Sequence, residues 1–548
     1  MKTKKYIFVV GGVMSGVGKG VTSASIGLIL QSKGYAVTAI KIDPYINVDA
    51  GTMNPTVHGE VFVTNDGDET DQDIGNYERF LNVELSRTNY MTTGRVYQTV
   101  INRERNLGYN GRDVEVVPDI PNEVIRRIKK ASQDHKAEIT IIEVGGTVGE
   151  YQNLLFLEAA RMMKLAAPKD VLFVLVSYLP IPPKVGEMKT KPTQYASRTL
   201  NSAGIQNDII ICRATDPLDA KRKTKIATFC NVSPESVLSA PDVDSIYDVP
   251  INLEKQQLGA VLLQKLGMPS KKRDMHEWRA MVGRLKRAKK KITIGIVGKY
   301  FASGNYILSD VYISVIEAIK HAASALGVKP ELHWIDSQAF EKNPASVSKL
   351  KQMNGIIVPG GFGSRGINGI IKAITFARTH KIPYLGLCYG MQLATIEFAR
   401  NVARLPKAHT VEIDPRTPDP VINVNAVQRK NIANQSFGNT MRLGGYRCRL
   451  TKGTLARKLY DVPMIVERHR HRYEFNEKYR ERLGKAGMVF SGVCPDNGLV
   501  EIIELPRTMH PFFMGTQFHP EFLSRPLKPH PLFKEFMRSA LGHPRKKG

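Results

Sequence analysis

Cysteine is scarce: five in 548 residues, at positions 212, 230, 388, 448 and 494, with no CxxC pair among them. That pattern excludes a disulfide framework and offers no zinc-ligand spacing, so four of the five are expected to be plain core thiols. Long apolar runs are also missing. No stretch approaches the roughly 20 residues that span a bilayer, and residues 1–6 (MKTKKY) pass straight into a short apolar strand instead of a signal-type segment. A cytoplasmic protein with no membrane partner is the expectation. Internal repeats and long low-complexity segments are absent too. Acidic residues are few, 51 Asp and Glu against 78 Lys and Arg, which leaves a net charge of +27. Such an excess points to a polyanionic partner. The basic residues are densest at 271–273, 284–291 and 544–547, with no RNA-binding signature beside them. We read them as linker and surface charge plus sites for nucleotide phosphates, and nucleic acid is not the expected partner.

What is present is an alternation of short β-branched runs and helical stretches. Residues 6–10, 36–42, 139–142, 171–176 and 208–212 have the continuous apolar character of buried parallel strands. A second series runs through 292–297, 355–358 and 384–387. The chain is too long for one core, and the basic stretch between the series is the natural divider. The expected fold class is α/β, with two doubly wound, mostly parallel-sheet domains at 1–267 and 292–548. Trp278 and Met281 make the 268–291 linker partly helical and packed.

Two sets of residues carry chemistry. In residues 383–392 (PYLGLCYGMQ) an apolar strand ends in Gly-x-Cys-x-Gly ahead of a helix-forming sequence, the pattern of a nucleophile elbow. A cysteine at a strand end can also be a small core residue. His519 and Glu521 favour the reactive reading, because a histidine can deprotonate Cys388 and a carboxylate can orient the imidazole. In residues 11–20 (GGVMSGVGKG) a glycine-rich loop follows the first strand and opens a helix at Lys19. Its spacing is one residue longer than the standard phosphate-loop motif, and Gly20 replaces the usual hydroxyl. A mere glycine-rich turn is the alternative. Backbone N–H groups at a helix start can still cradle phosphate while Lys19 supplies a charge. Glu143, ending a buried strand, and Asp71 and Asp73, in residues 69–75 (ETDQDIG), are candidates for a magnesium ion shared with ATP.

Longer strings carry a resemblance. Residues 41–49 (KIDPYINVD), 51–53 (GTM), 58–63 (HGEVFV), 76–80 (NYERF), 143–149 (EVGGTVG) and 186–194 (GEMKTKPTQ) resemble the cytidine triphosphate (CTP) synthase family. Its class I glutamine amidotransferase half is matched by 359–363 (PGGFG), 386–392 (GLCYGMQ), 467–473 (ERHRHRY) and 519–521 (HPE). The resemblance implies a P-loop-like synthetase domain followed by the amidotransferase domain. It implies ATP-dependent amination of uridine triphosphate (UTP), with glutamine hydrolysed to supply ammonia, as the last step of de novo pyrimidine nucleotide synthesis. By the same resemblance Gly16, Val17, Gly18, Lys19, Gly20, Val21, Asp73, Pro241, Asp242 and Val243 bind ATP, and Asp73 and Glu143 hold magnesium. Ser15, Lys189, Thr190, Lys191, Pro192, Thr193, Gln194 and Lys225 bind UTP or CTP, together with the product-recognition stretch Glu150, Tyr151 and Gln152. Cys388, His519 and Glu521 are catalytic, Gly361 supplies an oxyanion N–H, and Tyr389, Gly390, Met391, Gln392, Glu412 and Arg472 bind glutamine. A homotetramer, filaments, guanosine triphosphate (GTP) as an allosteric activator, and an interior passage for ammonia belong to the same expectation.

Two stretches depart from the family pattern. Glu150 and Gln152 stand where acids tied to product recognition are common, which puts inhibition by CTP in doubt. Residues 299–312 are longer than usual in a segment that helps sense GTP, with Ile313 in place of a frequent lysine. Arg365 is retained, so altered rather than absent activation is expected. A cobyrinate-type or biotin-pathway amidoligase is the rival enzyme, disfavoured by the 186–194 and 43–48 strings. A nucleic-acid-binding protein or a filament scaffold is the rival from another class.

Overall fold

Strands in a sheet covered on both faces are predominantly apolar, and those of the first sheet are buried almost throughout, with a few polar residues such as Lys41 and Glu143 toward their carboxyl ends. The structure is a computed structural model that describes residues 4–184, 186–271, 274–299, 302, 303, 306, 307, 309–424, 426–435 and 437–544. It divides into two compact units, Met1–Ala50 with Asp73–Arg279, and Gly51–Gln72 with Ala280–Gly548.

The first unit is built on β1 (Lys5–Gly12), β2 (Val37–Asp43), β3 (Tyr90–Thr92), β4 (Ile139–Val144), β5 (Val171–Tyr178), β6 (Ile209–Ala214) and β7 (Val237–Pro241). Their order is β3-β2-β4-β1-β5-β6-β7, parallel throughout. From β1 the chain passes outward to β2 and β3, returns to β4, and then crosses β1 to reach β5. This reversal of direction places the loops at the carboxyl ends of β1 and β4 where ligands gather in open α/β sheets. Phe8, Ile40, Ile142, Phe173 and Leu175 centre the core, with Phe8 and Phe173 stacked at 5.5 Å. Helix α1 (Lys19–Ser32) follows the loop after β1, and α2 (Gln72–Leu81) carries Asp73 in its first turn. The divider stretch is helical at His276–Arg287, and Trp278 anchors its start by donating Nε1–H to Tyr247 O at 2.9 Å and packing on Phe80.

The second unit holds β8 (Lys291–Gly298), β9 (Lys329–Asp336), β10 (Gly355–Val358), β11 (Tyr384–Leu387), β12 (Arg442–Leu450), β13 (Met464–His471), β14 (Val489–Val493), β15 (Val500–Glu504) and β16 (Phe513–Thr516). They run β9-β8-β10-β11-β16-β15-β14-β12-β13. The first five are mutually parallel, and from β15 onward the pairing is antiparallel. Helix α3 (Tyr389–Asn401) follows β11.

The division differs from the sequence expectation in one segment. Residues Gly51–Gln72 fall inside the expected first domain yet pack with the second unit. Long-range bonds hold it there: Arg470 Nε donates to Glu69 Oε1 at 2.8 Å, and the fully buried Arg468 donates Nη1–H to Val63 O at 3.2 Å. Ser314 closes a further link by donating its backbone N–H to Glu60. Among the described residues no helix is long and apolar enough to cross a membrane.

Candidate functional site

Cys388 is the hinge between β11 and α3, with φ 50° and ψ −97°. A non-glycine residue at such angles is strained, and the turn projects its side chain out of the sheet. Strand β10 passes so close beneath that a Cβ on Gly390 would lie 2.2 Å from Val358 O, so this position requires glycine. His519, downstream of β16, is seated by Glu521, whose Oε1 accepts from Nδ1 at 2.7 Å, and its ring stacks on Phe522. Burial alone would lower the His519 pKa, but the Glu521 carboxylate and Cys388 outweigh it and raise it to about 10. Cys388, His519 and Glu521 line one cavity of about 420 Å³, which also exposes Gly361, Arg470 and Arg472. The three residues picked from the sequence thus meet around one cavity, with the imidazole held by the carboxylate.

The loop after β10, which carries Gly361, is held from several directions. Gly363 N–H donates to Glu412 Oε1 at 2.6 Å, while Gly363 O accepts from Lys299 Nζ at 2.5 Å and from Tyr389 Oη at 2.8 Å. Lys299 lies 4.4 Å from the Tyr389 ring centroid, and burial lowers its pKa to about 8. Arg472 donates to Gln428 Oε1 and Phe437 O. Gln392 donates to Tyr473 O and Gln517 Oε1.

In the first unit, Lys19 is buried at the start of α1 and donates to Gly146 O at 2.8 Å. Burial lowers its pKa. A Cβ at position 20 would collide with the Asp73 carboxylate, which explains why glycine stands where phosphate loops usually carry a hydroxyl. Asp73 and Glu143 both bind the Lys41 ammonium, at 2.5 Å and 3.1 Å, and Tyr77 donates to Glu143. Burial raises the pKa of Glu143 and of the neighbouring Asp43. No set of three or more His, Cys, Asp or Glu among the described residues is arranged to hold a metal by itself. Two convergent carboxylates beside a phosphate loop do fit a magnesium ion that keeps waters and shares phosphates. Asp71, the third acid considered, falls in the 51–72 segment of the other unit.

The comparisons agree with both halves. A family model described as CTP synthase N-terminus matches residues 5–268, and glutamine amidotransferase class-I matches 307–539. A CTP synthase of Sulfolobus acidocaldarius is 51% identical, covering 98% of this chain and 99% of that relative. One from a Cyanothece species is 49% identical over 98% of this chain and 96% of its own length. The chain belongs to the CTP synthase family. Among solved structures, the glutaminase domain of Trypanosoma brucei CTPS with bound acivicin is 35% identical, covers 47% of this chain and 98% of that domain, and has a TM-score of 0.42.

The other residues implied by the family resemblance are distributed over both units. Ser15 and Gly16 are exposed in the loop, and Val17, Gly20 and Val21 lie in or beside its helix start. Asp242, just after Pro241 at the end of β7, is paired with Arg213 at 2.9 Å, and Val243 follows it. Lys189 pairs with Glu187 at 2.6 Å. Thr190 immediately precedes the helix Lys191–Ser202, which has Pro192 in its first turn, Thr193 bonded to Ser177, and Gln194 bonded to Thr190. Lys225 is exposed on the helix Ala220–Phe229. Glu150 accepts from Thr147 and Gln152, and Tyr151 beside them is 94% exposed. Met391 and Gly390 are buried in α3. Arg365 donates to Gln338. Within the unusual segment, residues 300, 301, 304, 305 and 308 lie outside the described residues, as do 272, 273 and 545–548 of the basic clusters.

Sequence reasoning passed over Lys41, Arg213, Lys299 and Gln517. Lys41 and Arg213 stand at the carboxyl ends of strands, which was the available signal. The guanidinium of Arg213 is also within 3.7 Å of where a Gly18 Cβ would be.

Proposed function

We propose that the protein converts UTP to CTP, using ATP and ammonia released from glutamine, as the last step of de novo pyrimidine nucleotide synthesis. The observation that carries this is the pair of assembled sites in one family member: Cys388, His519 and Glu521 around a single cavity, and Lys19 with Asp73 and Glu143 at a phosphate loop.

In the second unit the Cys388 thiol gives its proton to His519, and the thiolate attacks the glutamine side-chain carbonyl. Gly361 N–H, on the loop fixed through Gly363, stabilises the oxyanion. His519 returns the proton to the departing ammonia, then activates water to release glutamate from the thioester. Glu521 orients the ring throughout. Glu412 and Arg472 recognise the ammonium and carboxylate of glutamine, and Tyr389, Gly390, Met391 and Gln392 shape its pocket.

In the first unit residues 16–21 and Lys19 hold the ATP phosphates, with Pro241, Asp242 and Val243 by the adenine. The γ-phosphoryl group passes to O4 of UTP, ammonia adds at C4, and phosphate leaves to give CTP. Asp73 and Glu143 would hold magnesium, which supplies charge neutralisation for the phosphates. Lys41 and Lys19 balance the buried carboxylates and position them. Ser15, residues 189–194 and Lys225 receive the UTP triphosphate, whose charge suits repeated lysines.

A homotetramer, a capacity for filaments and a cytoplasmic location go with this reading. So does a response to GTP altered by the unusual 299–313 segment; stimulation by added GTP of the magnitude usual in the family would count against that alteration. The function itself is tested by mixing the protein with ATP, UTP and either glutamine or ammonium and following CTP by chromatography. CTP is expected from both nitrogen sources, and Lys19→Ala abolishes both. CTP formation by the variant at the wild-type rate would remove the phosphate loop from the reaction.

A further inference from the structure

Behind the Cys388 thiol runs a chain of buried amides and imidazoles whose donors and acceptors can be assigned in one direction only. Its fixed point is the main-chain carbonyl of Tyr473, which can only accept. Gln392 Nε2 donates to it at 2.9 Å, and His471 Nδ1 donates at 3.1 Å. The first bond decides which end of the Gln392 amide is nitrogen. That nitrogen reaches Gln517 Oε1 at 3.2 Å, so the orientation of Gln517 is decided as well. The end of Gln517 that faces Cys388 is therefore Nε2, 3.7 Å from Sγ. With its proton on Nδ1, a neutral His471 accepts at Nε2 from His469 Nδ1 at 2.9 Å. Burial pushes both imidazoles well below their usual range, which keeps them neutral. Gln392, Gln517, His469 and His471 are all buried.

An amide N–H can donate to sulfur but cannot accept from it. A Cys388 thiol has a different outlet, since Sγ lies 3.7 Å from Arg470 O and can donate there. The Gln517 amide therefore favours the sulfur that carries negative charge, because hydrogen bonds to an ionised partner are the stronger ones. We propose that Gln517 is a further catalytic residue of the glutaminase centre, donating through Nε2 to Cys388 Sγ and stabilising the thiolate before attack. Gln392 is the positioning residue that aims it. The S–H bond breaks with its proton passing to His519, the electron pair stays on sulfur, and no proton leaves Gln517. The inference rests on the amidotransferase reading and adds the group that holds charge on the nucleophile.

The test is alkylation of Cys388 by iodoacetamide in the full chain without glutamine, followed at the Cys388 peptide by mass spectrometry from pH 5 to pH 10. Gln517→Met keeps length and removes the donor. Its alkylation rate at neutral pH is expected to fall about 10- to 100-fold, with the rate profile displaced to higher pH and the high-pH plateau retained. Gln392→Met, which frees the Gln517 amide to turn, is expected to move the profile in the same direction by less, and decides the matter if Gln517→Met does not fold. The charged groups that line the same cavity, Glu60, Arg470, Arg472, His519 and Glu521, are unchanged in both variants. Profiles that coincide with wild type in a folded Gln517→Met, or in Gln392→Met if the former is unfolded, overturn the proposal. Because alkylation needs no turnover, failure of the functional reading would register separately, as wild-type protein that does not hydrolyse glutamine.

Discussion

His519 is the residue at which charge, burial and chemistry are most tightly joined. Its proton is held to about 10 although the ring is buried, because Glu521 and Cys388 outweigh desolvation. A histidine whose folded pKa lies above its unfolded value near 6.5 binds its proton more tightly in the native state. The stability it contributes is therefore complete below about pH 6.5 and is lost as pH rises through about 10. Glu521→Gln removes the main source of that shift. Thermal unfolding midpoints of wild type and variant are expected to differ most near pH 6 and to converge toward pH 10. A difference that grows with pH would contradict the assignment. The pairing of His519 with Glu521 was legible from their spacing, but its burial, and the net shift that results, come from the fold.

At the scale of elements, the loop after β10 is the part most sensitive to a change away from the reacting atoms. Gly363 is gripped by Lys299 and Tyr389 through its carbonyl and by Glu412 through its N–H. Lys299→Met leaves the carbonyl with Tyr389 alone and lets the oxyanion N–H drift. Displacements of about 1 Å at such a position cost roughly 100-fold in rate. The expected result is a fall of that order in glutamine-dependent kcat with KM changed much less, read from steady-state glutamate release. The long apolar strands β1, β2, β4, β5, β6, β8, β10 and β11 were legible because burial on both faces leaves an unbroken apolar run. Strands β3 and β7 were not, since they are the short edges of the first sheet and carry residues such as Ser239 and Pro241. The antiparallel strands β12, β13 and β15 mix arginine, histidine and glutamate with apolar residues, because Arg442 and Glu501 form a buried ion pair within them and His469 is buried beside it.

At the scale of the whole molecule, sequence order misleads about where residues 51–72 belong. The segment is joined to the second unit by Arg470 and Arg468, some 400 residues away in sequence, and no local pattern announces such partners. The Glu69 carboxylate is buried against Arg470. Glu69→Ala leaves that guanidinium without its acid, a change that typically costs about 3 kcal/mol. Calorimetry of the full chain is expected to show a lowered transition, and an unchanged one would mean the pair holds nothing in place. On the proposed reading one chain divides its work, releasing ammonia at Cys388 and using it where Lys19 holds ATP. The most direct test is CTP formation by Cys388→Ala, supplied with ATP, UTP and either glutamine or ammonium. The variant is expected to lose the glutamine route entirely and to keep the ammonium route near the wild-type rate; loss of both routes in a folded variant would contradict the account.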